Sequence, residues 1–152
     1  MTKPVSDKWR DHFFGVAHLT ARLSKDTTKV GAVLVGPDRE LLLATYNGPP
    51  MGVTDSPDRF ERPKKYLYAS HAEMNLVAFA ARRGIETKGC SVYVTHAPCS
   101  ACARLLIQAG IAEVVVGDGT TSMPQEEFDA AAEMFAEAGV TVRRMPEREK
   151  RP

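Results

Sequence analysis

Three cysteines are too few, and the wrong number, for a disulfide framework. However Cys90, Cys99 and Cys102 pair, one thiol is left over. Long apolar runs are missing as well. No stretch approaches the roughly 20 apolar residues that span a bilayer, and the opening MTKPVSDKWRDH lacks a signal peptide's apolar core. The expected setting is therefore the cytoplasm, with no membrane partner. Charge of one sign is also scarce. Twenty Lys and Arg face nineteen Asp and Glu, a net charge of +1, so nothing global draws the chain to nucleic acid. Internal repeats and low-complexity segments are absent. What is present, 152 residues with 43% apolar and 26% charged, suits one domain spanning 1–152 around one core.

Periodicity orders the chain. Residues 6–25 read as an amphipathic helix, with Trp9, Phe13, Val16, Ala17 and Leu23 near 3.6-residue spacing and Ser6 as N-cap. The valine-rich run 30–36 reads as a buried strand. A turn at Pro37-Asp38 and a second strand over 40–47 make an antiparallel hairpin. Residues 48–65 carry four prolines and two glycines and fit no regular element. Arg59, Arg62, Lys64 and Lys65 gather at the end of this segment. A helix is expected from His71 to about Arg83, with Met74, Val77, Ala78 and Ala81 on one face and Gly84 as C-cap. There follow a strand over 91–95, a helix over 99–109 opened by Pro98, and a strand over 112–116. A helix over 124–138, with Phe128, Ala131, Ala132 and Phe135 inward, and a short strand over 140–142 complete the order. Residues 143–152, with five basic and two acidic side chains, read as a solvated, flexible basic tail. A hairpin followed by alternating helices and strands implies an α/β, three-layer α-β-α sandwich around a five-stranded mixed sheet.

Two motifs sit at helix starts, where such sheets bind their ligands. His71-Ala72-Glu73 offers an imidazole and a carboxylate, and Pro98-Cys99-Ser100-Ala101-Cys102 offers two thiols. Cys99 and Cys102 are three apart, a neighbour spacing on a helix. His71 and Glu73 can share a pocket only at a first turn. Converging helix N-termini lower thiolate pKa and favour a metal. His71, Cys99 and Cys102 are zinc ligands by type, and three protein ligands leave a fourth position open, as in catalytic zinc sites. Glu73 is then placed to carry protons in the hydrolysis of an amino-bearing ring carbon. The competing reading is a structural zinc closed by Cys90 or His96, in a nucleotide-binding module without activity. A redox role for the C-x-x-C pair makes no demand for His-x-Glu.

H-x-E followed by P-C-x-x-C is the signature of zinc nucleobase deaminases. The chain resembles the cytidine deaminase superfamily and, within it, the deoxycytidylate (dCMP) deaminases. The flanking segments Thr28-Lys29-Val30-Gly31-Ala32, Tyr46-Asn47-Gly48, Lys65-Tyr66-Leu67-Tyr68 and Cys102 to Gly110 carry the narrower resemblance. It implies zinc on His71, Cys99 and Cys102, a proton shuttle at Glu73, and conversion of dCMP to dUMP and ammonia. It further implies that the Ala72 backbone meets the pyrimidine 2-oxo group, the Ala97 carbonyl the leaving amine, and Asn47 the sugar. Lys29, Lys65 and Tyr66 are the nominated phosphate ligands. A homo-oligomer, often a hexamer in this family, is expected.

The chain departs from the family at His96-Ala97, where an aromatic or leucine is common two residues before Pro-Cys. Residues 48–55 match only partly the segment that binds regulatory dCTP and dTTP in some members, and the ligands of a second zinc are missing. A deaminase of the same scaffold acting on another base, modified nucleotide or heterocycle is the enzyme alternative. A tRNA adenosine deaminase fits less well, because Ala97 stands where those carry Glu and the net charge is near zero.

Overall fold

Five apolar residues in a row have no polar face to turn to water, and Gly31–Val35 forms strand β1, buried along its whole length. The structure, a computed structural model, describes residues 5–145. Helix α1 (Asp7–Ala21) precedes β1, and β2 (Leu41–Tyr46) follows it. Strands β1 and β2 pair antiparallel, with Gly31 opposite Tyr46 and Ala32 opposite Thr45. Two short helical pieces come next, a 3-10 turn at Pro57–Phe60 and helix α2 (Lys65–Tyr68). Then α3 (Ala72–Arg83), β3 (Ser91–His96), α4 (Ser100–Gln108), β4 (Glu113–Gly119), α5 (Gln125–Ala138) and β5 (Thr141–Arg144) alternate. The sheet order is β2-β1-β3-β4-β5. Strand β1 is antiparallel to β3, whereas β3, β4 and β5 run parallel, each pair joined across a helix.

The period of two along each strand sorts the core into two layers. Ala32, Leu34, Val92, Val94, Val114 and Val116 face Leu76 and Ala80 of α3, Ala103 and Leu106 of α4, and Ala131 and Phe135 of α5. The intervening Val33, Val35, Tyr93 and Val115 face Phe13, Phe14 and Ala17 of α1. This is the three-layer mixed-sheet sandwich that the element order predicted. Each fully buried Leu, Val or Phe side chain contributes roughly 1.5–3 kcal/mol. Close packing also explains Gly31, where a Cβ would lie 2.0 Å from the Ala17 carbonyl oxygen. Helix α1 rests on bare backbone there.

Several local expectations shift. Helix α1 stops at Ala21 rather than Lys25, so Leu23 lies outside it and is exposed, as is Trp9. On α3 the buried residues are Ala72, Glu73, Leu76 and Ala80; of the expected set, Val77 packs half-buried against the same core, Met74 is half-buried, and Ala78 and Ala81 are exposed. Both sets follow a helical period, and in a helix apolar most of the way round only the position of the sheet chooses between them. On α5, Ala131 and Phe135 are buried as expected and Ala132 is exposed. The segment 48–65 is less irregular than its prolines suggest, since α2 begins at Lys65. Strand β5 continues through Arg143 and Arg144, and the Arg143 Nε reaches Glu113 Oε1 at 2.9 Å. Those two residues of the expected tail therefore belong to the sheet, and 146–152 lie outside the described residues.

Candidate functional site

Strand β3 ends at His96 and delivers residues 97–99 to the start of α4. Cys99 is the N-cap of α4 with extended backbone, φ −73° and ψ 173°. Cys102 follows within the first turn. His71 is the N-cap of α3, also extended at φ −69° and ψ 153°. An N-cap residue precedes the helical twist, so both side chains are free to turn toward the shared space before the two helices. The Thr45 Oγ1 hydroxyl donates to the Ala72 carbonyl at 2.8 Å and pins α3 to β2. The Ser100 amide donates to Glu127 Oε2 of α5 at 3.1 Å and pins α4. Two helix starts are thereby held against one another.

The metal-ligating atoms meet there. His71 Nδ1 lies 3.5 Å from Cys99 Sγ and 3.4 Å from Cys102 Sγ, and the three ligand atoms lie within 4.8 Å of one another. A tetrahedral zinc with Zn–S near 2.3 Å and Zn–N near 2.0 Å requires a nitrogen–sulfur separation of about 3.6 Å. The observed spacing fits that requirement, and the donor set of one imidazole and two thiols is what zinc selects. No other such cluster occurs among the described residues.

Electrostatics agree. The Cys99 thiol is held down at about 4, first by the hydrogen bond with Cys102 and then by that with His71, against its own burial. Cys102 keeps its own proton, its thiol being pushed up by that bond and by burial. The pair yields one thiolate readily and needs a cation before it yields the second. His71 is raised, chiefly by its hydrogen bond to Cys99. Glu73 is buried within the first turn of α3 and shares a hydrogen bond with Cys102. Burial is the first cause of its raised pKa, opposed by a backbone hydrogen bond and by the nearby His71.

These groups open onto a cleft. Of the residues the sequence nominated, Asn47, Lys65, Tyr66, His71, Ala72, Glu73, Ala97 and Cys99 line it. Lys29 does not, since its ammonium donates to the Ser24 carbonyl. Asn47 is buried and spends most of its amide internally. Its Oδ1 accepts from the Val30 amide and its Nδ2 donates to the Thr28 carbonyl, each at 2.9 Å. Lys65 is buried too, and its Nζ lies 3.0 Å from Asp26 Oδ1. Asp26 Oδ1 also accepts from the Thr28 amide at 2.9 Å. A strap over residues 24–30 is therefore tied to β2 by Asn47 and to α2 by Lys65.

Other residues of the cleft escaped the sequence reading as site groups. Arg62, Thr28, Thr121, Met123 and Phe128 line it, the last three from the β4–α5 connection and α5. Arg62 carried a signal, as a member of the basic run 59–65. The β4–α5 residues carried none. His96 lines the cleft, and its Nδ1 lies 2.7 Å from Thr95 Oγ1. Cys90 is buried away from the cluster, with its thiol 3.4 Å from the Glu86 carbonyl, so neither it nor His96 stands as a fourth metal ligand.

The family model described as the cytidine and deoxycytidylate deaminase zinc-binding region matches residues 7–118. The chain is 41% identical over 143 residues to an uncharacterised deaminase in the luxG 3′ region of Aliivibrio fischeri, across 91% of this chain and 95% of that relative. It is 39% identical over 144 residues to the deoxycytidylate deaminase of Mus musculus, across 90% of this chain and 79% of that relative. The crystal structure of the apo dCMP deaminase from cyanophage S-TIM5 superposes with a TM-score of 0.73 at 25% identity, across 93% of this chain and 100% of that one.

Proposed function

This chain belongs to the cytidine and deoxycytidylate deaminase family of zinc-binding deaminases, and on that premise we propose that it hydrolyses dCMP to dUMP and ammonia. The observation that carries the reaction is the buried Glu73 carboxyl beside the His71, Cys99 and Cys102 cluster. The 39% identity to a deoxycytidylate deaminase supports the substrate. His71 Nδ1 and the Cys99 and Cys102 thiolates would hold the metal. Bound zinc supplies a Lewis-acidic position at which water loses a proton near pH 7.

Glu73 relays one water proton to the adjacent ring nitrogen and then the second, from the new hydroxyl, to the leaving amine. The water oxygen forms the new carbonyl as the carbon–nitrogen bond breaks, so ammonia leaves and the books of atoms close. The Ala72 amide, in the first helical turn, has no intrahelical acceptor and is available to the pyrimidine 2-oxo group. Ala97 and His96 form the wall near the leaving amine, and Tyr66 stands at the mouth. Lys29, Asn47 and Lys65 act by holding the strap 24–30 in place, with a second Nδ2 proton of Asn47 left for the sugar.

The working unit is a single deaminase domain that assembles as a homo-oligomer. Three unpaired thiols suit the reducing cytoplasm. A purified sample should contain zinc and consume dCMP faster than deoxycytidine, cytosine or guanine, followed by ultraviolet absorbance. Rapid loss of another substrate with dCMP untouched would replace dCMP by that substrate. His96 is the observation that favours such an alternative, because it puts an imidazole on a wall where relatives of this type commonly carry leucine or an aromatic ring.

A further inference from the structure

The segment that leads into α3 carries four cations, and three are already engaged. The Arg59 Nη1 donates to the Thr54 carbonyl at 2.7 Å, and its guanidinium lies over the Tyr68 ring at 4.1 Å. Lys64 pairs with Asp58. Lys65 is buried and paired with the buried Asp26. Drawing Lys65 away to a ligand would strand the Asp26 carboxylate in the interior, which is strongly unfavourable. Arg62 differs from all three. It is exposed, lines the same cleft as His71 and Glu73, and makes no ion pair or hydrogen bond among the described residues. The one other carboxylate on the cleft besides Asp26 is Glu73, which is buried. The hydroxyl-bearing Thr28 and Tyr66 line the cleft as well.

We propose that Arg62 is the anion-binding residue of this cleft and discriminates a 5′-monophosphate from the bare nucleoside. A free guanidinium offers two parallel N–H donors, which match two phosphate oxygens. This assignment moves the phosphate contact from Lys29, which does not line the cleft, and from Lys65, whose charge is paired with Asp26, to the one cleft cation without a partner. It rests on the nucleotide reading above.

Steady-state kinetics with dCMP and deoxycytidine test it in the wild type, Arg62→Gln and Arg62→Lys. Charge-assisted hydrogen bonds of this kind correspond to roughly 10- to 100-fold in affinity. Arg62→Gln should raise KM for dCMP by about that factor while kcat and the deoxycytidine kcat/KM stay within about twofold, and Arg62→Lys should recover part of the loss. An unchanged KM for dCMP in Arg62→Gln, in an enzyme that prefers dCMP, overturns the proposal. A wild type with no preference for dCMP fails the substrate reading instead. Arg62 is then judged by calorimetric titration with inorganic phosphate: binding by the wild type that Arg62→Gln abolishes supports the site, and absent or equal binding overturns it.

Discussion

The imidazole of His96 occupies the space that a side chain on Gly119 would need. A Cβ built on Gly119 would stand 2.5 Å from Nδ1, Cε1 and Nε2 of that ring. The two residues face each other across β3 and β4, where the register shifts between Val94 and His96. Such irregularities redirect side chains beside functional sites, and here a cleft-wall ring lies flat on glycine backbone.

Gly119→Ala should therefore push the ring aside. Overpacking of this kind costs about 1–3 kcal/mol, and thermal unfolding should show it as a lowered Tm together with reduced activity. Adding His96→Ala should restore stability relative to Gly119→Ala alone. If Gly119→Ala melts like the wild type, the contact does not constrain the ring.

Glu73→Gln should retain zinc and lose about 10²- to 10⁴-fold in kcat. Its stability should also follow pH differently in chelator-treated protein. Burial raises the Glu73 pKa above its unfolded value, so the folded state binds the proton more tightly. The associated stability is complete below the unfolded pKa, about 4.3, and is lost as pH rises through the folded pKa. Urea midpoints of metal-free wild type should thus fall relative to Glu73→Gln as pH rises above the unfolded value. Parallel pH profiles would mean that the carboxyl is not desolvated.

Asp26→Asn should cost about 3–5 kcal/mol by leaving the Lys65 ammonium buried without its counter-charge. The pair is nearly inaccessible, with side chains 2% and 9% exposed, so solvent does not screen it. Asp26→Asn with Lys65→Met should recover much of that stability in urea unfolding. A deficit as large in the double variant as in the single one would place the cost in the Asp26 backbone contacts instead.

Local chemistry was legible because it lies within a few consecutive residues. His-x-Glu before one apolar helix and Cys-x-x-Cys after Pro98 specify donor types, spacing and helix starts, and the three ligand atoms do converge. The alternating strands were legible for the same reason, since Gly31–Val35 is apolar on both faces and must be covered twice. The face of α3 was not, because Leu76 and Met74 are equally apolar and only the sheet distinguishes them.

What the sequence by itself determined about this protein is its metal centre: a zinc-ligand trio, a carboxyl two residues from one ligand, and the α/β order that brings two helix starts to one edge. Only the tertiary structure decided which charges remain for a substrate. Lys29, Asn47 and Lys65 have the right chemistry for ligand binding, yet their partners Ser24, Thr28, Val30 and Asp26 meet them through the folded strap. Lys65 and Asp26 stand 39 residues apart in sequence. Whether a lysine is free or neutralised depends on which carboxylate the fold sets beside it, and residue type alone carries no record of that neighbour.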